Sequence, residues 1–577
     1  MEKKPQQSSL VRSLPIFGWL PKYDRSWLTV DIIAGLTLWG LVVPQAMAYA
    51  GIAGLPPQAG LYTLLASLLV YALMSTSRHL VVQATSATAA LLASVVAATL
   101  AATAVDPADA QTYQTYASAF VLVTGLIFLF AAVARLGFIT QFLSKPVMDG
   151  FVVGLAVFVT VGQLNKLFGV PKPEGNTVEK LVGIIKELPQ ANWVTFVVGA
   201  SALALLFLLP LISKKIPAGL VVLFGAIGLS AVLDLNGNYG VDIVGTLPQG
   251  LPSLTFPRLP LMTYLSMILP AIGVLLVAYS EALGVAKEFA EKHDYKVNAD
   301  QELSAHAVAN LASALFGGML AGGSMSASAV KEGAGARSQV SNLVTWVATI
   351  ITLLFLTPLF TTLPEAVLGA LIIQAVFHIL NSRKLMKVRH ASPVEFWFGA
   401  LAFGGVVLID VLQGMIIGLV ASMLFMVYRS SRLHVSSLGR VPGVPGMYTD
   451  MGRHPENIPV PGVLIARLDG QLYYANAATY YEQVQVMIEE RESPPQAVIF
   501  DSSSWYQLDL TSVDMIQKMV KELHGKGMDV YMADVHVPVL EYSRKMGLLD
   551  LIGEDHVLPT VDAAVRQIQN ADHSVGT

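Results

Sequence analysis

Two short stretches of the chain share a pattern of small, hydroxyl-bearing residues. QATSATAALLAS spans Gln83 to Ser94, and GGSMSASAVKEG spans Gly322 to Gly333. Each contains Ser-Ala-(Thr/Ser)-Ala, at Ser86 to Ala89 and at Ser326 to Ala329, and each sits among apolar runs. Where a helix starts inside a membrane, its first N–H groups have no intrahelical partner. The helix dipole adds roughly half a positive charge at that end. Small side chains let a ligand approach the backbone, and Ser and Thr hydroxyls add donors. Two such helix starts facing each other can hold an anion without a formally charged side chain. Small residues also form close-packing faces between membrane helices. Their recurrence at two matching places favours the binding role.

Three further residues have types suited to this chemistry. Glu281 lies in AIGVLLVAYSEALGVAKEF, deep in an apolar run. A carboxyl group there is costly and, as a rule, functional. Desolvation favours its protonated form, which suits proton coupling or substrate gating. The alternative is a neutral, hydrogen-bonded Glu that packs two domains. Gln45 and Tyr49 lie in LVVPQAMAYAGIAGLPPQAGLY, where Pro44 loosens the helix ladder. Gln45 offers an amide, and Tyr49, one turn on, an aromatic wall with a hydroxyl. Ordinary helix–helix hydrogen bonding is the plainer role for that Gln.

The elements that must position these residues follow from composition. The chain has 577 residues, 54% hydrophobic and 13% charged, against about 25% charged in soluble domains. The deficit falls upstream of about residue 430. LVVLFGAIGLSAVL and WVATIITLLFLTPLF approach the ~20 residues that cross a bilayer. We therefore expect a polytopic α-helical membrane protein, since one soluble core would be too large. The absence of Cys excludes disulfides and thiolate metal sites. The net charge of −4 argues against a nucleic-acid partner. The basic N-terminus has no h-region, so no cleavable signal peptide is expected. No nucleophile–base pair or metal-ligand cluster stands out, so no enzyme and no cofactor are expected.

Window length and breakers give about fourteen segments, two of them short. Their centres fall near Leu41, Leu68, Ala93, Leu126, Phe158, Leu203, Phe224, Leu275, Ala309, Ala329, Ile350, Ile373, Gly404 and Leu419. An even number puts both termini on one side. The N-terminal arm, Arg135/Lys145, Lys214/Lys215, Lys287/Lys292/Lys296, Arg383/Lys384/Lys387/Arg389 and Arg429/Arg432 share that side, which is assigned to the cytoplasm. One long loop dissents, because Lys166, Lys172, Lys180 and Lys186 fall outside. The two opening stretches are segments three and ten. Their odd separation implies two inverted seven-segment repeats, at about 31–235 and 262–430, with the site between them near the bilayer midplane. The expected organisation is a cytoplasmic arm (1–30), a membrane domain (31–430), a Gly/Pro-rich linker (431–457) and a soluble domain (458–572). In the last, QAVIFD and MDVYMAD read as strands, and LTSVDMIQKMVKELHGKG and VPVLEYSRKMGLLD as helices, which gives a small α/β domain.

These residues together resemble a known family, the SulP anion transporters related to solute carrier family 26. PPQAGLY (Pro56 to Tyr62) followed by Ser77-Arg78, ADQELSAHAVANLASALFGG and GGSMSASAVKEGAGARSQVSN carry the resemblance from about Leu20 onward. The tail is similar to the STAS domain. The resemblance implies core and gate domains, a homodimer and an elevator-like alternating-access cycle. It implies an anion between the N-termini of segments three and ten, beside segment one. On this chain that maps to Gln45, Tyr49, Thr85, Ser86, Ala87, Ser324, Ser326, Ala327 and Ser328. Glu281 matches the acidic residue of proton-coupled members. Many relatives have Arg where this chain has Ala327, and the loss of that charge weakens dianions such as sulfate more than monoanions. In the tail, Thr511, with Ser512 beside it, stands near the phosphorylatable Ser of related anti-sigma antagonists, although Asp509 or Thr511 as a helix cap is the simpler role. The implied function is secondary active transport of a sulfate-type anion by proton symport, in the lipid bilayer of a bacterial inner membrane. Bicarbonate or dicarboxylate transport, sodium coupling, and a channel or exchanger are the alternatives.

Overall fold

The computed structural model describes residues 14–103, 109–138, 144–173, 175–213, 218–377, 389–390 and 392–575. Lys214, Lys215, Arg383, Lys384 and Lys387, used above to orient the chain, lie outside the described residues, as do residues 1–13 of the N-terminal arm. The chain divides into two compact units, Met1–Ser422 and Met423–Thr577.

The first unit is built almost wholly from helices. In order these are α1 (Leu28–Ile52), α2 (Pro57–Met74), strand β1 (Val81–Gln83), α3 (Ser86–Thr103), α4 (Ala110–Val133), α5 (Lys145–Phe168), α6 (Thr177–Glu187), α7 (Trp193–Ile212) and α8 (Ala218–Leu233). Then follow α9 (Leu261–Lys292), α10 (Ala299–Leu315), strand β2 (Gly322–Ser324), α11 (Met325–Gly333), α12 (Val340–Phe360), α13 (Glu365–Phe377), α14 (Pro393–Leu408) and α15 (Val411–Ser431), whose last residues are counted with the second unit. Each of the fourteen expected segment centres lies within one of these helices. Among the described residues, nine helices are long and apolar enough to cross a membrane, and α8, α13 and α14 are shorter apolar helices. Large apolar side chains such as Phe130, Leu211, Val232, Leu269 and Phe355 are exposed on the outer faces. That is how helices solvated by lipid present themselves, with every backbone group satisfied internally.

Local chemistry sets the helix ends. Pro57 occupies the first turn of α2 after an extended Pro56, where a missing N–H costs nothing. Gly169, at φ 62°, closes α5 in the left-handed region. The dissenting loop contains a helix the sequence reading overlooked. In α6, Asn176 and Glu179 form a reciprocal capping box. α1 runs through Pro44 without ending. α9 widens to a π-helical turn at Leu275–Tyr279, just before Glu281. Such turns recur at functional sites.

The second unit holds a six-stranded mixed sheet in the order β4-β3-β5-β6-β7-β8. Its strands are β3 (Val435–Arg440), β4 (Tyr448–Asp450), β5 (Val463–Leu468), β6 (Ala497–Asp501), β7 (Asp529–Ala533) and β8 (Val557–Leu558). β5 to β8 are parallel, and β3 joins them antiparallel. Its helices are α16 (Ala477–Glu489), α17 (Leu510–Gly525), α18 (Val537–Lys545), α19 (Leu548–Ile552) and α20 (Val561–Val575). The helices cover both faces of the sheet, around separate apolar clusters centred on Trp505 and Ile499. A parallel sheet needs both faces buried in this way.

Candidate functional site

The two opening stretches meet through their backbones. β1 and β2 pair antiparallel in the register Val81↔Ser324, Val82↔Gly323 and Gln83↔Gly322. A helix follows each strand directly, so α3 and α11 run in opposite senses away from one buried strand pair. The Ser328 hydroxyl fastens the pair, accepting from Val81 N at 2.9 Å and donating to Ser324 O at 2.6 Å. Its chemistry is spent on holding the strands.

Each half-helix carries its own cap. Thr85 and Thr88 cap α3 reciprocally, with Thr85 N donating to Thr88 Oγ1 at 2.9 Å and Thr88 N donating to Thr85 Oγ1 at 3.2 Å. Ser324 caps α11, its Oγ accepting from Ala327 N at 3.3 Å. The caps leave the N–H groups of Ser86, Ala87, Met325 and Ser326 at the two helix starts. Ser326 is exposed, within 3.4 Å of Ser324 Oγ, whereas Ala327 is fully buried.

Gln83, which the sequence reading did not select, ties segment one to this pair. Its Nε2 donates to Gln45 Oε1 at 3.5 Å and to Ser324 Oγ at 3.4 Å. Gln45 is only 6% exposed, so this amide bridge is internal. Gln83 lies in the quoted stretch, but a Gln in a three-residue strand has no periodicity to mark it. Tyr49, also buried, lies within electrostatic range of the Glu281 carboxyl group. Glu281 is partly buried and makes no hydrogen bond or ion pair with any described residue. β2 reaches the backbone of α9 beside it: a Cβ on Gly323 would fall 2.5 Å from Ala282 Cα. Gln83 Oε1 and Ser280 Oγ are buried without a partner among the described residues. The structure therefore brings Gln45, Tyr49, Thr85, Ser86, Ala87, Ser324, Ser326, Ala327 and Glu281 into one neighbourhood.

Two other features lie near this region. Lys331, one turn beyond Ala327 on α11, is fully buried, and its Nζ donates to Gln339 Oε1 at 3.5 Å. Sequence reasoning missed it because KEG reads as a solvated helix end. The dissenting lysines Lys166, Lys172 and Lys180 line a recess of about 80 Å³, together with Gly51 and Ile52 at the end of α1 and Ala93 on α3. Lys166 pairs with Glu365 at 2.9 Å. Desolvation lowers the Lys172 pKa, and the neighbouring Lys180 and Lys166 lower it further.

In the second unit, Asp509 caps α17, accepting from Ser512 N at 2.8 Å and from Ser512 Oγ at 2.9 Å. Ser512 is buried and Thr511 exposed. Among the described residues, no group of three or more His, Asp or Glu could hold a metal.

Residues 28–402 match the model of the sulfate permease family, and residues 454–564 that of the STAS domain. A probable sulfate transporter of Mycobacterium tuberculosis (strain CDC 1551 / Oshkosh) is 32% identical over 563 residues, 96% of this chain and 99% of that protein. Human solute carrier family 26 member 6 is 32% identical over 496 residues, 82% of this chain and 65% of that protein. Among solved structures, the murine solute carrier 26 family member A9 anion transporter, in its inward-facing state, superposes with TM-score 0.90 at 23% identity, covering 99% of this chain and 97% of that one. The transmembrane domain of a cyanobacterial bicarbonate transporter superposes with TM-score 0.59 at 22% identity, covering 69% of this chain and 98% of that one. Its match over most of its length, at the level of sequence and of fold, makes the chain a member of the sulfate permease family with a C-terminal STAS domain.

Proposed function

We propose that this protein is a secondary active transporter of a sulfate-type inorganic anion, driven by proton symport. The single observation that carries the reading is the β1–β2 pair, which sets two capped helix N-termini side by side in a buried, small-residue setting. A membrane protein of this family with that feature is an anion transporter. The anion sits against the free N–H groups of Ser86, Ala87, Met325 and Ser326, with the Ser326 hydroxyl and the Gln45 and Gln83 amides around it. Tyr49 walls the pocket. Glu281, without a partner, takes up and releases the coupled proton. Because the strand pair ties α3 to α11, the pocket moves as one body, which suits elevator-like alternating access. The protein works as a homodimer, each chain holding two inverted seven-segment repeats, in a bacterial inner membrane, with its N-terminus and STAS domain in the cytoplasm.

A monoanion such as bicarbonate is the second reading. The observation that favours it is Ala327, which puts no fixed charge at the helix start. Uptake of labelled sulfate, bicarbonate and fumarate into proteoliposomes, with and without an inward proton gradient, tests both readings. The expected result is accumulation of one anion only with the gradient, and loss of that dependence in Glu281→Gln. Gradient-independent uptake that is the same in wild type and variant would sink proton symport and point to a sodium-driven carrier, an exchanger or a channel.

A further inference from the structure

The first unit contains a second polar cavity, away from the strand pair and larger than the lysine recess. It is open, measures about 920 Å³, and is walled by the N-terminal segment and the loops after α2, α4, α9 and α11. Five cations converge on it: Lys22, Arg78, Arg135, Lys296 and Arg337. All five are exposed, and none forms an ion pair with a described residue. Among the described residues the single carboxylate in the wall is Asp300, which accepts from Gly137 N at 3.1 Å.

Scattered basic residues flank membrane segments in any such protein. Arg78 and Arg337 differ because the fold holds them in place. The Arg78 guanidinium lies 5.3 Å from the Tyr295 ring centroid, and that of Arg337 lies 5.7 Å from the Trp27 ring centroid. Two fully buried carboxylates pin the loops beneath. Glu302 accepts from Thr76 N at 2.7 Å and Ser77 N at 3.0 Å, fixing the backbone beside Arg78. Asp31 accepts from Arg337 N at 2.9 Å and Ser338 Oγ at 2.7 Å, fixing the backbone of Arg337. Arginine forks presented in this way suit phosphate oxygens, which they bind bidentately.

We infer that this cavity is a binding site for an anion carrying two or more phosphate groups, distinct from the pocket at the half-helices. Such groups come from a free nucleotide or pyrophosphate, or from a phosphorylated lipid headgroup. The site is wired to the strand pair. Gln339 in the cavity wall donates to Ser77 O at 2.7 Å and Leu80 O at 3.1 Å, and β1 begins at the next residue. An occupant that draws on Arg78 and Arg337 therefore bears on the backbone leading into α3, and biases the position of the pocket.

The test uses the purified full-length protein with excess sulfate present, so that the half-helix pocket is occupied. Pyrophosphate and ATP are titrated in detergent, and nanodiscs of phosphatidylcholine with or without phosphatidylinositol bisphosphate supply the lipid arm. Heat of binding or thermal stabilisation is the readout. The expected result is saturable binding from at least one arm, weakened by salt and weakened about tenfold or more by Arg78→Gln/Arg337→Gln. The exposed pair Lys22→Gln/Lys296→Gln repeats the test without touching the packed loops, and is expected to weaken binding in the same direction. Binding from solution identifies a free phosphate compound, and binding only in the doped nanodiscs a lipid. No binding at about 1 mM in either arm, or binding that survives both double variants, would overturn the inference.

Discussion

Gly323→Ala is the sharpest test of the packing that sets the pocket. A Cβ at this position falls 2.5 Å from Ala282 Cα and 2.7 Å from Ala282 Cβ. Carbon atoms pack at about 3.5–4.0 Å, so α9 must recede by about 1 Å, or β2 must shift toward α3. The obstacle is backbone, which cannot swing aside as a side chain does. Overpacking of this kind costs about 1–3 kcal/mol, which is roughly 5- to 150-fold in any equilibrium that needs the native spacing. The moved residue directly follows Glu281, so the displacement also moves Glu281. Gly284→Ala is the matched control. It adds the same methyl to α9 itself, two residues after Ala282, where nothing lies within 4 Å. Thermal unfolding in detergent and initial uptake rates in proteoliposomes are measured for both. Gly323→Ala is expected to lower Tm and raise KM, and Gly284→Ala to keep near wild-type values. Wild-type Tm and KM in Gly323→Ala would refute the claim that β2 and α9 meet through backbone.

Other consequences are equally direct. Ser328→Ala leaves Val81 N buried without its acceptor, costing about 1–3 kcal/mol, and is expected to lower Tm even with the transported anion bound. Lys172→Gln/Lys180→Gln is expected to slow anion uptake several-fold at low ionic strength and not at about 1 M salt, where the field is screened. Lysine charge is lost as pH rises, and the Lys172 pKa is lowered. Wild-type uptake should therefore fall toward the variant's level at a pH below the ordinary lysine range, and a gap that persists through that range would contradict the role. Asp509→Ala removes the cap of α17 and the acceptor of Tyr474 N. It is expected to destabilise the second unit by about 1 kcal/mol or more, seen as a lower unfolding midpoint in denaturant.

Much of this arrangement was readable before any coordinates. Fourteen segment centres could be placed because apolar runs of about 20 residues have few soluble explanations. The half-helices stood out through small hydroxyl residues in the wrong company, and Glu281 through a charge in the wrong solvent. What escaped was long-range or very short. A three-residue strand such as Val81–Gln83 has too few positions to show alternation, and its partner lies in the other half of the chain. Asp31 and Glu302 went unselected, because nothing local says that distant backbone N–H groups will converge on them. Lys331 was masked in the same way by its neighbours Glu332 and Gly333. α6 was overlooked although NTVE carries a legible capping box, since its loop was read only for charge.

The strand pair also has a consequence for how the protein is made. Val81 and Ser328, which close it, are 247 residues apart. At about 5–20 residues per second, a ribosome takes roughly 12–50 s to supply the second partner after the first. Through that interval Val81 to Gln83 have an open edge, which hydrocarbon would not tolerate. β1 must therefore stay in water, against the translocation machinery or under other protein until α11 is synthesised. Insertion of the third segment is then a late, long-range step rather than a sequential one. Chains truncated before Gly322 should accumulate with residues 81–86 open to protease, and chains that extend past Gly333 should be protected.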